Sequence, residues 1–267
     1  MLVQAVRSLV FYLIFYVHTA ILALFVGTIA LIVRRSFGFG LAIGIYWARA
    51  NLFLLRWIVG IRSEVTGLEN LPETGCIIAS KHQSDWDIYA LLPPSGRPAF
   101  IAKKQLMDIP FFGWAARTLE TIPIDRSLGG RAIPAMIEAA RGAAERGCRI
   151  IIFPEGTRRP PLSDPQYKIG VSRLYEALDV PVVPVALNSG LFWGRRSLVL
   201  WPGKARARFL EPIAPGLGGE EMMKRLTEVL ETETDRLVLM AAKEGIARPL
   251  SPETQERLHA LMEKADN

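Results

Sequence analysis

Cys76-Ile-Ile-Ala-Ser-Lys-His-Gln-Ser-Asp-Trp-Asp87 joins an apolar run to a histidine and two carboxylates within a dozen positions. Cys76–Ser80 reads as a short buried strand. Ser84 and Asp85 are residue types that favour helix N-caps, and Trp86–Leu92 reads as a helix halted by Pro93-Pro94. Strand, loop and helix in that order form the repeating unit of an α/β fold, whose loops at the carboxyl edge of the sheet commonly carry functional groups.

Working outward, the same alternation continues. Glu64–Thr66, Ala99–Ala102, Thr121–Ile124, Arg149–Phe153 and Val182–Leu187 read as strands, and Arg131–Glu145 and Ile169–Leu178 as the helices between them. Ile109–Trp114 forms an apolar knuckle entering a short helix. Leu198–Trp201 and Ala205–Leu210 suggest a hairpin around Pro202-Gly203. Glu220–Lys243 and Pro252–Lys264 close the chain as charged amphipathic helices. The fold class expected is α/β. The chain divides into residues 1–61 as membrane anchor and interfacial helix, 62–215 as catalytic domain, and 216–267 as a helical extension packed on it.

Half of the 267 residues are hydrophobic, and the N-terminus explains the excess. Ser8–Val33 contains no Lys, Arg, Asp or Glu. A helix of that length, rising about 1.5 Å per residue, exceeds the ~30 Å hydrocarbon core, so it can span, or bend near Gly27 and re-emerge. It is also longer than the roughly 7–15-residue apolar region of a signal peptide. Leu41–Ile61 carries Arg49 and Arg56 on one helical face, which suits an amphipathic helix lying among headgroups; a helix docked on the soluble domain is the alternative. Arg34-Arg35, Arg49 and Arg56 follow the apolar run and outweigh Arg7, which places the catalytic side on the cytoplasmic face of the inner membrane.

The formal net charge of +6 suits an anionic membrane surface or an anionic substrate. Zinc spacings, helix-turn-helix patterns and RNP-like aromatic motifs are absent from the sequence, so no nucleic-acid partner is expected. The two cysteines, Cys76 and Cys148, each abut an isoleucine-rich strand and read as buried thiols.

Two constellations carry chemistry. If Ser84 or Asp85 caps the helix at Trp86, then Asp87 in the first turn is the carboxylate left for His82. A carboxylate on one imidazole nitrogen fixes the tautomer and makes the other a general base. Taken alone, the pair reads more readily as a capped helix beside a surface histidine. The second constellation, Phe153-Pro-Glu-Gly-Thr-Arg-Arg159, follows a strand: Gly156 permits close backbone approach, and the arginines offer forked donors for phosphate. Lys103-Lys104 and Arg126 end two further strands.

These residues resemble the glycerolipid acyltransferases. His82 and Asp87 match the family's first block, Thr121-Ile-Pro-Ile-Asp-Arg126 its second, Phe153-Pro-Glu-Gly-Thr-Arg158 its third and Val180-Pro-Val-Val-Pro184 its fourth. The resemblance covers roughly Glu64–Leu210. It implies a mixed sheet flanked by helices, behind N-terminal hydrophobic membrane-anchoring helices. It implies further that His82 deprotonates an acceptor hydroxyl, with Asp87 orienting it. Arg126 and Arg158, with Lys103, would hold the acceptor's phosphate, while Glu155, Gly156 and Thr157 belong to the substrate-binding loop. The expected reaction moves a fatty acyl group from a thioester of coenzyme A or acyl carrier protein to lysophosphatidate, with no metal or bound cofactor. The partners are thus the lipid bilayer, a lysolipid and the acyl thioester. Lys81, Glu120 and Arg159 depart from the family pattern, and Glu120 could turn the acceptor pocket away from phosphate. Competing readings are an acyltransferase for another lysophospholipid or lyso-aminolipid, a thioesterase or lipase, and a non-catalytic lipid-binding protein. The sequence has no Gly-x-Ser-x-Gly elbow, which counts against a serine lipase.

Overall fold

The computed structural model describes residues 1–32, 37–73, 75–109 and 112–266. Its centre is a seven-stranded mixed sheet of β1 (Ile61–Thr66), β2 (Ile77–Ser80), β3 (Pro98–Lys103), β4 (Ile122–Ile124), β5 (Arg149–Ile152), β6 (Val182–Leu187) and β7 (Gly203–Phe209), in the order β1-β7-β6-β2-β5-β3-β4. All neighbours are parallel except β6 and β7. The carboxyl ends of β6, β2, β5, β3 and β4 therefore share one edge.

Both faces of the central strands are buried, as a parallel sheet requires, and successive residues alternate between them. Ile77, Ile150 and Val182 pack under α5 (Ile133–Glu145), α6 (Gly170–Leu178) and α7 (Gly219–Glu244). Ile78, Ile151 and Val183 pack on the opposite face with Trp86 and Tyr89 of α3 (Trp86–Leu91). The final helix, α8 (Pro252–Asp266), is fastened by Arg257, which pairs with Asp164 at 2.8 Å.

The N-terminal helices α1 (Leu2–Ile32) and α2 (Phe37–Leu54) lie on the α3 side, and α1 runs through Gly27 without a break. Both are long and apolar enough to cross a membrane, with mean hydropathy 2.3 and 1.3 over their apolar stretches. α1 docks through one stripe. Gln4 Nε2 donates to the carbonyls of Val59 and Leu200, the Ser8 hydroxyl accepts from Leu200 N–H, Phe11 meets Trp193 edge-on, and Trp47 donates to Thr19. Its other faces stay exposed and apolar, including Leu9, Leu13, Val17, Ile21 and Phe25. α2 turns its small residues Gly40, Gly44 and Ala48 inward. A Cβ on Gly40 would come within 2.3 Å of the Thr118 hydroxyl, so glycine sets how closely α2 approaches α4 (Phe112–Thr118). The outward face of α2 and the π-helical turn Leu55–Val59 after it carries Tyr46, Arg49, Phe53, Arg56 and Trp57. The arginines thus stand among aromatic rings, an arrangement suited to a headgroup layer.

Two expectations need correction. The hairpin around Pro202-Gly203 does not form: β7 pairs with β1 in parallel and with β6 antiparallel, and Leu198–Trp201 is not a strand. The backbone of that segment is consumed elsewhere, with Leu200 bonded to Gln4 and Ser8 and Trp201 N–H bonded to Phe192 O at 2.9 Å. The first strand also begins earlier than expected, at Ile61, because Gly60 at φ 93° ends the preceding helix. Arg34, Arg35, Pro110 and Phe111 lie outside the described residues.

Candidate active site

His82 leaves the end of β2, and its backbone is held on both sides by the loop after β5. The His82 N–H donates to Glu155 Oε2 at 2.7 Å, and the His82 carbonyl accepts from Arg159 N–H at 2.8 Å. The imidazole stacks on the Phe153 ring, with centroids 4.0 Å apart and planes inclined by 20°. Its Nδ1 lies 2.9 Å from Asp87 Oδ2.

Asp87 is fully buried and densely solvated by protein donors. Oδ2 also accepts from the Gln83 and Ser84 N–H groups at 2.7 and 3.0 Å, while Oδ1 accepts from the Ser189 hydroxyl and lies 3.1 Å from that of Ser84. A carboxylate so placed acts as acceptor only, so the imidazole proton is assigned to Nδ1 and the Nε2 lone pair is left for substrate. The carboxylate beside His82 is thus Asp87, as the spacing predicts, but not because Asp85 is engaged as a cap. Asp85 occupies the N-cap position, yet its backbone is helical and its side chain makes no cap bond. Asp87, in the first turn, reaches back to the preceding N–H groups, as the acidic residue of a capping box does. Asp85 is released to pair with Arg158 at 2.8 Å.

Five strand ends converge here. β5 supplies Gly156, in the left-handed conformation at φ 66°, and with it Thr157 and Arg158. β3 supplies Lys103, and the backbone of Arg126 begins a 3₁₀ turn one residue beyond Asp125 at the end of β4; the Arg126 side chain lies outside the described residues. β6 supplies Ser189, which nothing in the sequence singled out because its partner stands 102 positions away. Lys103, Gly156, Thr157 and Arg158 line the same cavity as His82 and Asp85. Glu155 does not: it is buried, points toward Lys81 at 3.0 Å, and shapes the site by holding the His82 backbone. Burial raises its pKa while the Lys81 charge opposes that rise.

From this polar mouth a cavity of about 470 Å³ runs beneath the N-terminal helices. Its walls include Val26 of α1, Ile43 and Trp47 of α2, Leu92 just after α3 and Leu119 just after α4. An apolar cavity of this size with a few convergent polar groups is the common form of a small-molecule site. Glu120 does not enter it as an acid. It pairs with Arg97 at 2.7 Å and Arg146 at 2.9 Å, beside the amino ends of β3 and β5, away from His82. The buried thiol of Cys148 lies against Glu120, and Cys76 is buried in the apolar core; burial pushes both thiols up to about 11.

Comparison with known proteins gives the family. Residues 62–188 match the family model described as Acyltransferase. The chain is 35% identical over 204 residues to a 1-acyl-sn-glycerol-3-phosphate acyltransferase of Pseudomonas aeruginosa, covering 75% of this chain and 78% of that protein. It is 30% identical over 199 residues to the human 1-acyl-sn-glycerol-3-phosphate acyltransferase alpha, covering 70% of each. Its fold matches the crystal structure of a 1-acyl-sn-glycerophosphate acyltransferase from Thermotoga maritima with a TM-score of 0.71 and 26% identity, over 88% of this chain and 98% of that one. With its mixed sheet, helical flanks and apolar N-terminal pair, the chain belongs to the acyltransferase family that includes these proteins, and it is an O-acyltransferase.

Proposed function

We propose that the protein transfers a fatty acyl group from a thioester of coenzyme A or acyl carrier protein to the free hydroxyl of lysophosphatidate, giving phosphatidate. The carrying observation is the juxtaposition of the His82–Asp87 pair, the Arg158 guanidinium and an apolar cavity at one mouth. The relatives' names support the choice of acceptor.

In this reading His82 Nε2 takes the proton of the acceptor hydroxyl as its oxygen attacks the thioester carbonyl carbon. The tetrahedral intermediate collapses with cleavage of the carbon–sulfur bond, and the proton on His82 passes to the departing thiolate. Asp87 holds the ring and stabilises the imidazolium that forms in between. Arg158, joined by Lys103 and Arg126 from the neighbouring strand ends, takes the phosphate, and Arg158 exchanges Asp85 for it. The acyl chain lies in the cavity under α1 and α2.

The docking of α1 along its length supports a membrane position in which α1 and α2 lie in one leaflet and bring the cavity to headgroup level. We place the catalytic domain on the cytoplasmic face, where Arg49 and Arg56 meet anionic lipid and the soluble thioester arrives. The test is one assay of purified protein in detergent with one acyl thioester and a panel of lysolipids. Preference for lysophosphatidate supports the assignment, and equal or better use of a lyso-aminolipid or of water overturns it.

A further inference from the structure

Behind the catalytic loop, on the side away from the cavity, is a chain of charges, buried at Lys81 and Glu155 and half-buried at Glu231, that the reaction does not use directly. Lys81, the residue before His82, is 4% exposed. Its backbone N–H continues the β2–β6 ladder to Val185 O, and its Nζ lies 3.0 Å from Glu155 Oε1 and 2.7 Å from Glu231 Oε1 of α7. The Tyr167 hydroxyl donates to the same Glu231 oxygen, and the Lys81 ammonium sits 5.4 Å from the centre of the Tyr167 ring. Glu155 uses its other oxygen, Oε2, to accept from His82 N–H. Three elements distant in sequence thus meet in one line that ends on the histidine backbone.

We propose that Lys81 and Glu231 are positioning residues: α7 fixes Lys81, Lys81 fixes Glu155, and Glu155 fixes the peptide from which the His82 ring reaches Asp87. The inference rests on His82 being the base. It adds a part to the machinery from Glu231, which lies beyond the 62–188 span of the family match. A lysine at position 81 suits the place because a buried carboxylate such as Glu155 must be paired or else protonated. Without the ammonium, Glu155 would face Glu231 and the Tyr167 hydroxyl with only His82 N–H in its favour. Asp235, whose own acid is raised by burial and by Glu231, adds to the negative charge of that wall. Glu155 would then take up a proton, weaken its hold on His82 N–H, and let the ring drift.

The test uses full-length protein in detergent, with an acyl-CoA and lysophosphatidate. Lys81→Met is expected to lower kcat by about tenfold to a hundredfold, the scale of a small misplacement of a reacting group, with both KM values little changed. Lys81→Arg should recover part of that loss by keeping the charge. The acidic limb of kcat should move to higher pH in Lys81→Met, because Glu155 protonates more readily. Glu231→Gln keeps an oxygen for Tyr167 and Lys81 and guards against a variant that fails to fold; it should show the same kind of kcat loss in smaller measure. Combined with Lys81→Met it should add nothing further, since both act through one chain. Unchanged kcat, a loss confined to KM, an unmoved acidic limb, or multiplicative losses in the double variant would each overturn the proposal. His82→Ala, measured alongside, separates the two readings. If it retains wild-type turnover, the general-base assignment falls and this inference with it; if it is inactive while folded Lys81→Met and Glu231→Gln turn over normally, only the positioning chain is refuted.

Discussion

Replacing Asp87 by Asn should lower kcat about a thousandfold while leaving the loop folded. The asparagine oxygen can take the place of Oδ2 and keep the His82 Nδ1, Gln83 and Ser84 donors, and its amide can donate to the Ser84 and Ser189 hydroxyls, which are free to rotate and accept. What disappears is the negative charge beside an imidazole that becomes positive during the reaction. Two unit charges about 4 Å apart at an effective dielectric of ~20 interact by about 4 kcal/mol, roughly three decades in rate. Asp85→Asn breaks only an ion pair whose side chains are 41% and 32% exposed, and pairs of that kind contribute about 0–1 kcal/mol. Its kcat should fall by less than about tenfold. It should also free Arg158 and so lower the KM for a phosphate-bearing acceptor. The assay is release of free thiol from acyl-CoA under saturating acceptor, with thermal unfolding of each variant to confirm the fold. Equal kcat losses in the two folded variants would refute the assignment of Asp87 to the imidazole.

Arg158→Ala and Arg126→Ala should each raise the KM for lysophosphatidate about tenfold to a hundredfold, the worth of a charge-assisted hydrogen bond, with the thioester KM unchanged; a selective rise in the latter would place the arginines on the donor. Ala116→Phe projects a ring into the cavity wall and should depress activity with long-chain acyl donors more than with short ones, so an unaltered chain-length profile would remove the cavity from acyl binding. Cys76 and Cys148, with thiols pushed up to about 11, are only about a thousandth ionised at pH 8, so iodoacetamide should leave the native enzyme unlabelled and active until it is denatured. An acyl group trapped on either cysteine during turnover would refute direct transfer.

The local elements were legible in the sequence. The strand at Val182–Leu187 keeps its expected bounds, the helix expected at Ile169–Leu178 starts one residue later, and the one expected at Glu220–Lys243 extends by one residue at each end. Periodicity and end signals are written in neighbouring residues, so they survive without knowledge of the rest of the chain. The false hairpin shows the limit. Leu198–Trp201 has the composition of a strand, but α1, almost two hundred residues earlier, takes its backbone hydrogen bonds.

The site divides in the same way. The sequence determined that a histidine follows a strand and a carboxylate five positions on stands in the first turn of the next helix, and that a second strand ends in Glu-Gly-Thr-Arg. Both are short-range relations fixed by backbone geometry. Only the tertiary structure decided the strand order that sets Ser189 against Asp87, Arg158 against Asp85, and Glu155 against Lys81 rather than the substrate. It also decided that α1, read as a membrane anchor, and α2, read as an interfacial helix with docking as the alternative, together form the roof of the cavity. Hydrophobicity tells a segment to leave water but does not say against what; lipid and a protein groove satisfy it alike, and shape, glycine spacing and hydrogen bonds such as Gln4 to Leu200 select between them.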